Sequence, residues 1–543
     1  MDIGDRPRGT DQASEPVLTD RTTPDVTVVI AVYNTMPYLT GCLESVFGQT
    51  IGVDRLEVVA VDDGSTDGSG AELDRWAARY PQSMTVLRQP NSGGPAGPSN
   101  RALDAATGRY VFFLGADDHL GLEALERLVG AADELDADIM LGRLVGTEGR
   151  NVNQAVFAGG NRDDIDLNNS ALPWALSNTK LFRRSMIEEN GIRYPEELRS
   201  GSDQPFTIRA VVAARRIAVR ADYEFYYATR RKDSSNITYR TSLADFVRDA
   251  ALIMAVAADA IPDPRALERV LCRHFTWELG KLLGARLLAA SREEQCQVQE
   301  GVRKLAEAYL SDTIRASLDV QHRVSLSVAQ HGTVDDVIKV ALHRGEHRLS
   351  PIVADGGRYY VAYPGFRDST AAYPDAWYEC TAQMLRRDHQ TEPAQVSWGR
   401  SAAGKRALLV TWRMSLPDLG LDGVDAPWVM QVGDGLAVST ESRHDDRDGR
   451  LVLARVVLDD LVAEVTKVRS RRVRYACKAH GVERNCKVVA DVSGIERRLH
   501  RRDSRLYWVL PTVDDAGWLR LKVQPVSVRR LARRLLRKVS LTR

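Results

Sequence analysis

Six cysteines are spread through 543 residues, as Cys42, Cys272, Cys296, Cys380, Cys477 and Cys486. None forms a C-x-x-C pair or stands near a histidine at metal-ligand spacing, which argues against a zinc site or a disulfide framework and fits reduced thiols in a cytoplasmic protein. No apolar stretch approaches the roughly 20 residues needed to span a bilayer. The opening MDIGDRPRGTDQASEPVLTDRTTP has no apolar core of a secretory signal, and its polar composition predicts a disordered tail over 1–24. An excess of one charge is lacking too. Lys and Arg number 74 against 73 Asp and Glu, for a net charge of +1, so no global field argues for nucleic acid as a partner.

What remains is ordinary globular material, 44% hydrophobic and 27% charged, and too long for one domain. Its most informative feature is three acidic motifs in order: VVAVDDGSTDGS at 58–69, FFLGADDHL at 112–120 and GSDQPF at 201–206. Leu56 to Val61 is an apolar, β-branched run that reads as a buried strand and stops at Asp62, Asp63, Gly64 and Ser65. Val26 to Val32 is a similar strand ending at Tyr33 and Asn34, followed by helical spacing of Leu39, Leu43, Val46 and Phe47. Strand, loop, helix in repetition opens an α/β domain, where ligands sit outside the carboxyl ends of the strands. The plainer role for Asp63 and Asp67 is to cap the helix that begins near Gly68.

The second motif follows a strand from Tyr110 to Leu114 and precedes a helix near Leu122. Adjacent carboxylates such as Asp117 and Asp118 repel unless a cation lies near them. Hard oxygen ligands with no nearby cysteine or paired histidine favour Mg²⁺ or Mn²⁺. His119 beside them reads more simply as a surface or supporting residue.

The series TVVIAVYN, VVAVDDGSTD, NSGGPAGPSNRAL, GRYVFFLGADD and GSDQPF resembles the family 2 glycosyltransferases, inverting enzymes with a GT-A fold. The resemblance covers residues 25–235. It implies a nucleotide-sugar donor, usually a UDP-sugar, and a divalent metal, Mn²⁺ or Mg²⁺, bridging protein and diphosphate. By position it implies that Ala31, Tyr33 and Asp63 line the nucleoside pocket, that Asn91 lies near the uracil, and that Ala116 joins the donor site. It makes Asp117 the metal ligand and Asp203 the catalytic base. Arg231, in the run Arg230 to Ser235, resembles the family's loop that closes over the diphosphate, and Trp174 and Lys180 fall on the acceptor side by analogy. Two positions depart from the family's pattern: Gly115 stands where the first Asp of Asp-x-Asp is common, and Ser99 where Arg is, with Arg101 as a candidate substitute.

Beyond residue 240 the texture changes. Residues 241–345 carry helical periodicity, and 346–525 carry short strands between turns, such as RALLVTWRMSL, GRLVLARVVL and SRLYWVLP, suggesting one or two β-sandwich modules. The expected fold is therefore α/β: a GT-A nucleotide-sugar-binding domain with a Rossmann-like mixed sheet over 25–240, a helical linker, and C-terminal β modules. That plan is similar to wall teichoic acid glycosyltransferases, whose β modules can assemble the enzyme into homo-oligomers. The last segment, 526–543, places Val528, Leu531, Ala532, Leu535, Leu536 and Val539 on one helical face and six basic residues on the other. Such a helix suits an anionic membrane surface or an anionic polymer, and would put the protein on the inner face of the cell membrane. The expected activity is transfer of a sugar to a hydroxyl of a cell-surface polymer, such as a teichoic-acid-like polyol phosphate, or of its membrane-linked precursor. A nucleotidyltransferase and a non-catalytic carbohydrate-binding scaffold are the alternatives; the first would release pyrophosphate and the second would bind donor without turnover.

Overall fold

The computed structural model describes residues 23–231, 241–346, 352–355, 358–369, 371–380, 389–390, 393–414, 429–433, 435–445, 449–479, 482–514 and 517–526. The N-terminal tail up to residue 22, Lys232 to Ser235 and the basic amphipathic segment lie outside them. The chain divides into two compact units, one of residues 1–282 with 291–315 and the other of 283–290 with 316–543.

The first unit is built on a seven-stranded mixed sheet in the order β3-β2-β1-β4-β8-β6-β9. Its strands are β1 (Val26–Val32), β2 (Leu56–Asp62), β3 (Met84–Arg88), β4 (Tyr110–Phe113), β6 (Ile139–Gly142), β8 (Leu181–Arg183) and β9 (Ile217–Arg220). β1 runs parallel to both β2 and β4, and β8 is antiparallel to β4 and β6. The central strands are apolar throughout because both faces are covered. Val28, Ile30, Val58, Ala60, Tyr110 and Phe112 face one core, whereas Val29, Val59, Val61, Val111 and Phe113 face the other. The first core is covered by α1 (Tyr38–Phe47), α2 (Ser69–Arg79) and α4 (Ala124–Leu135), the second by α3 (Ala96–Ala105), α5 (Arg184–Glu189) and α6 (Asp203–Ala213). A small sheet of β5 (His119–Leu120), β10 (Tyr226–Thr229) and β7 (Leu144–Thr147) lies at the end of β4. Strand order reverses between β1 and β4, and a crevice at such a reversal is where open α/β sheets bind ligands.

Helices Leu243–Ala260, Pro264–His274 and Arg292–Tyr309 complete this unit, with a π-turn over Phe275–Leu279. Ser242 and Asp263 cap the first two, and Ser291 with Glu294 forms a capping box on the third. The second unit adds helices Val320–His331 and Val334–Glu346 and then β-rich modules.

The largest sheet of the β region has twelve strands, ten of them on one hydrogen-bonded path and two branching from it. Among them are β15 (Ala394–Arg400), β16 (Arg406–Met414), β17 (Val429–Val432), β18 (Leu436–Asp445), β19 (Gly449–Val457), β20 (Arg469–Ala479), β21 (Val482–Lys487), β22 (Ala490–Asp491), β23 (Arg498–Arg502), β24 (Arg505–Val513) and β25 (Leu519–Val526). β20 serves two layers: Arg469 to Arg472 pair with β25, and Val473 to Ala476 pair with β17. Between the layers sits an apolar core that includes Val410, Trp412, Val432, Tyr475 and Val509. Among the described residues no helix is long and apolar enough to cross a membrane.

Candidate active site

The loops after β1, β2 and β4 meet at the switch point. Asn34 follows β1 with a left-handed φ of 48°, a conformation Asn tolerates better than most residues. Its N–H donates to Ser65 Oγ at 3.1 Å and its side-chain oxygen accepts from Thr66 N at 2.8 Å. Tyr33 beside it is exposed, and Ala31 sits on β1 opposite Val61. Asp67 accepts from Met36 N at 2.8 Å and from Ser69 N and Oγ at 3.0 and 2.6 Å, so it takes the first N–H of α2 from just before its N-cap, Gly68, and pins the loop after β1.

Asp63 does not cap a helix. It is buried, and its carboxylate accepts from Gln89 Nε2 at 2.7 Å, Ser92 N at 3.1 Å and Ser92 Oγ at 3.0 Å. Those donors fix its direction and leave acceptor capacity for a base N–H or a ribose hydroxyl. Gly64, at φ 79°, is required here because a Cβ would stand 2.9 Å from Asn91 N. Asn91 folds onto its own loop, accepting from Gly93 N at 2.9 Å. Arg101 donates to Arg88 O at 2.7 Å and thus braces the segment that carries Gln89. Asn100 ties α3 to Tyr194, accepting from its N–H at 2.8 Å.

After β4 the two acids part ways. Asp118 turns inward, accepting from Tyr226 OH at 2.5 Å and Thr229 N at 2.7 Å, with Arg150 3.8 Å away. Burial and the neighbouring Asp117 push its carboxyl up to about 6, against the pull of Arg150, Tyr226 and Thr229. Gly115 has a physical reason at this position: a Cβ there would lie 2.7 Å from Asp118 Oδ2, and its own N–H donates to Tyr226 OH at 3.1 Å. Ala116 is buried. Asp117 instead pairs with Arg231, Nε to Oδ2 at 2.6 Å, and Arg231 also donates to Asn34 O at 3.3 Å. Arg231 thereby bridges the loops after β1 and β4. His119 stacks on Tyr227 with centroids 4.7 Å apart, as a supporting residue would.

A single carboxylate that already attracts a cation, with its neighbour committed to internal hydrogen bonds, suits Mg²⁺ or Mn²⁺, which take one or two protein carboxylates and fill the rest of the shell with water and phosphate oxygens. Among the described residues no three His, Cys, Asp or Glu side chains gather as a larger cage.

Asp203 opens α6, and the charges around it come from elsewhere in the chain. Burial raises its carboxyl above the usual range, Arg273 and Lys180 pull it down, and Glu278 pushes it up. Lys180 is fully buried and donates to Ser177 O; burial draws its ammonium down to about 7, against the attraction of Asp203. Sequence reading placed Lys180 on the acceptor side, and the structure sets it in electrostatic reach of Asp203. Leu181 and Phe182 beside it are core residues of β8. Asn178 donates to Tyr194 OH at 2.8 Å, and Tyr194 stacks on Phe206 of α6 at 4.3 Å.

The residues that sequence reading missed lie on the helix ending at His274 and the π-turn after it. Arg273 donates to Gln204 Oε1 at 2.7 Å and to Glu278 Oε1 at 2.6 Å, while His274 Nδ1 stands 3.3 Å from Glu278 Oε2. Burial opposes ionisation of Glu278, but Arg273 and His274 outweigh it and hold its carboxyl at about 2. Trp277 lies 6.1 Å from Trp174, with Lys281 Nζ 4.8 Å over its ring and Arg273 at 5.8 Å. The signal available was the spacing of Arg273, Trp277 and Lys281 at i, i+4 and i+8, a single helical face.

A model of the family described as glycosyl transferase family 2 matches residues 27–191, and one described as glycosyl transferase TarS linker domain matches 244–341. The chain is 34% identical over 260 residues to a poly(ribitol-phosphate) beta-glucosyltransferase of Bacillus spizizenii, covering 47% of this chain and 41% of that protein. It is 34% identical over 254 residues to poly(ribitol-phosphate) beta-N-acetylglucosaminyltransferase TarS of Staphylococcus aureus, covering 46% and 44%. The chain thus spans less than half the length of either relative. A crystal structure of S. aureus TarS 1–349 with UDP-GlcNAc superposes with a TM-score of 0.55 at 29% identity, over 63% of this chain and 97% of that one. The full S. aureus TarS structure shares the fold over 93% of this chain and 86% of that one, with a TM-score of 0.60 at 21% identity.

Proposed function

From a chain that carries a family 2 glycosyltransferase domain, similar to wall teichoic acid glycosyltransferases and joined to a TarS-type linker, we propose an inverting transfer of sugar from a UDP-sugar to a hydroxyl of a polyol-phosphate polymer of the poly(ribitol phosphate) class. The observation that carries this reading is the convergence of Asp63, Asp117 and Arg231 at the switch point of a sheet whose α6 begins with Asp203.

In this reading Asp63 receives the nucleoside, held rigid by Ser92 and Gln89. A Mg²⁺ or Mn²⁺ ion held by Asp117 would neutralise the charge that develops on the departing diphosphate. Arg231, at the edge of the 230–235 loop, exchanges its bond to Asp117 for the diphosphate oxygens and excludes water that would hydrolyse the donor. Asp203 accepts the proton of the acceptor hydroxyl as that oxygen attacks the anomeric carbon from the face opposite the diphosphate. The opposing influences of Lys180, Arg273 and Glu278 tune the carboxyl for that task. Trp174 and Trp277 form an aromatic wall for the acceptor chain.

The test is a screen of UDP-, GDP- and dTDP-sugars with a ribitol-phosphate polymer, with and without Mn²⁺, reading released nucleotide and labelled polymer. Metal-dependent labelling from a UDP-sugar, lost in Asp203→Asn, is the expected result. Donor binding with no labelling of any acceptor would instead support a binding protein, and release of pyrophosphate a nucleotidyltransferase.

A further inference from the structure

The β region holds a concavity of about 510 Å³ lined by Gly399, Arg400, Arg406, Arg497, Arg498 and Leu499. Arg400 and Arg406 are register partners that flank the turn of the β15–β16 hairpin, and Arg498 begins β23 with Arg497 just before it. Trp398 Nε1 donates to Glu496 O at 3.0 Å and clamps the hairpin to that segment. The Arg498 guanidinium lies 5.4 Å over the Trp398 ring and Arg497 lies 4.6 Å over Trp508, so both forks are held by flat surfaces. Arg400 donates to Gly404 O at 2.7 Å. Among the described residues, none of the four pairs with a carboxylate, whereas Arg367 in the same unit pairs with both Asp355 and Asp375.

Four cations lining one hollow repel one another, and an anion that enters relieves that repulsion. The side chains on the wall offer hydrogen-bond donors and no acceptors, which selects against cations and neutral sugars and for phosphate oxygens taken by guanidinium forks. The volume exceeds that of one phosphate and falls in the range that accommodates a ligand of several groups. Among the described residues, none of the exposed large hydrophobic side chains lies in the lining, so the hollow lacks the apolar face that inserts into a lipid surface.

We propose that this hollow is a second binding site, on a unit other than the one bearing Asp203, for the phosphodiesters of the linear polyol-phosphate acceptor. The assignment of that polymer rests on the proposed function. The site holds the chain without taking part in transfer, so it governs how well a long acceptor is retained and not how fast one hydroxyl reacts.

The full chain and R400Q/R406Q/R497Q/R498Q are titrated by fluorescence anisotropy with a labelled long ribitol-phosphate polymer and, separately, with its dimer. Binding of the polymer is expected to weaken about tenfold in the variant with a shallower salt dependence. The KM for polymer rises with it, while kcat, UDP affinity and transfer to the dimer hold. Unchanged polymer affinity and KM overturn the inference. So does a variant that keeps the polymer but loses binding to phosphatidylglycerol vesicles, since the anion recognised is then a lipid headgroup. Should the quadruple variant fail to fold, R406Q alone serves, because Arg406 contributes no ring contact or side-chain hydrogen bond among the described residues; it is expected to weaken polymer binding in the same direction. Arginine-dependent binding of polymer with no sugar transfer to any acceptor keeps the hollow and sinks the proposed enzyme. Transfer to polymer whose affinity ignores the arginines does the reverse.

Discussion

The proposed donor edge and the surroundings of Asp203 solve the same problem, an acid with a controlled charge, from opposite directions. At the donor edge every working side chain sits within a few residues of the strand that aims it, and neighbouring loops hold it by short hydrogen bonds, as Ser92 and Gln89 hold Asp63. Among the described residues no loop holds the Asp203 carboxylate by short hydrogen bonds in that way. Burial raises its carboxyl, and Arg273 from the helical linker and Lys180 from before β8 pull it back, with Glu278 of the linker opposing them. The proposed donor edge takes its contacts from neighbouring loops, whereas the charge on the α6 acid is coupled to residues of the linker.

The largest expected effect breaks the second region alone. Asp203→Asn should lower kcat by about 10²–10⁴-fold while leaving UDP-sugar affinity intact, read by steady-state kinetics beside calorimetric titration of donor. Retention of full rate would remove Asp203 from the reaction. Next comes Glu278→Gln, which leaves Arg273 short of a buried counter-charge and should cost about 3 kcal/mol of stability, seen as a lowered Tm. A Tm equal to that of the parent would mean the pair is less enclosed than its geometry indicates.

The pH profile sharpens the comparison. In the proposed mechanism Asp203 accepts a proton only when ionised, so the rate should fall as pH falls through a pKa raised above the ordinary carboxylate range. Lys180 pulls that value down, so Lys180→Met should move the acid limb to higher pH, while Asp63→Asn should leave its position alone. On the donor edge, Arg231→Ala should weaken donor affinity about tenfold with little change in Tm, measured by the same titration. The smallest effect is reserved for Gly115→Ala. The added Cβ presses on Asp118 Oδ2 and should cost about 1 kcal/mol as the bond to Tyr226 loosens.

The two regions also differ in how much of them could be read from residues alone. The carboxylates at the strand ends were legible because a buried strand and its loop are contiguous, so motif and geometry coincide. Asp118 was not separable from Asp117, since nothing local reports that Tyr226 and Thr229 arrive from a distant strand to turn it inward. Arg273 and Glu278 were hidden inside a helix whose apolar spacing was its strongest signal, and they become partners of Gln204 only through tertiary packing. In the β region the apolar strands β16, β19 and β24 were evident. β23, with the sequence Arg-Leu-His-Arg-Arg, reads as a charge run, and only pairing with β24 makes it a strand, its His500 buried against Asp459 at 2.9 Å.

That same strand ends one path of the β sheet, where unpaired backbone groups would ordinarily invite another chain to add on. Arg498, Arg501 and Arg502 place like charges along this rim, so a second copy approaching in register would meet its own repulsion. At the opposite end β22 is two residues long, too brief to template an incoming strand. One border is guarded by charge and the other by brevity, so growth of this sheet from molecule to molecule is disfavoured at both ends of its path.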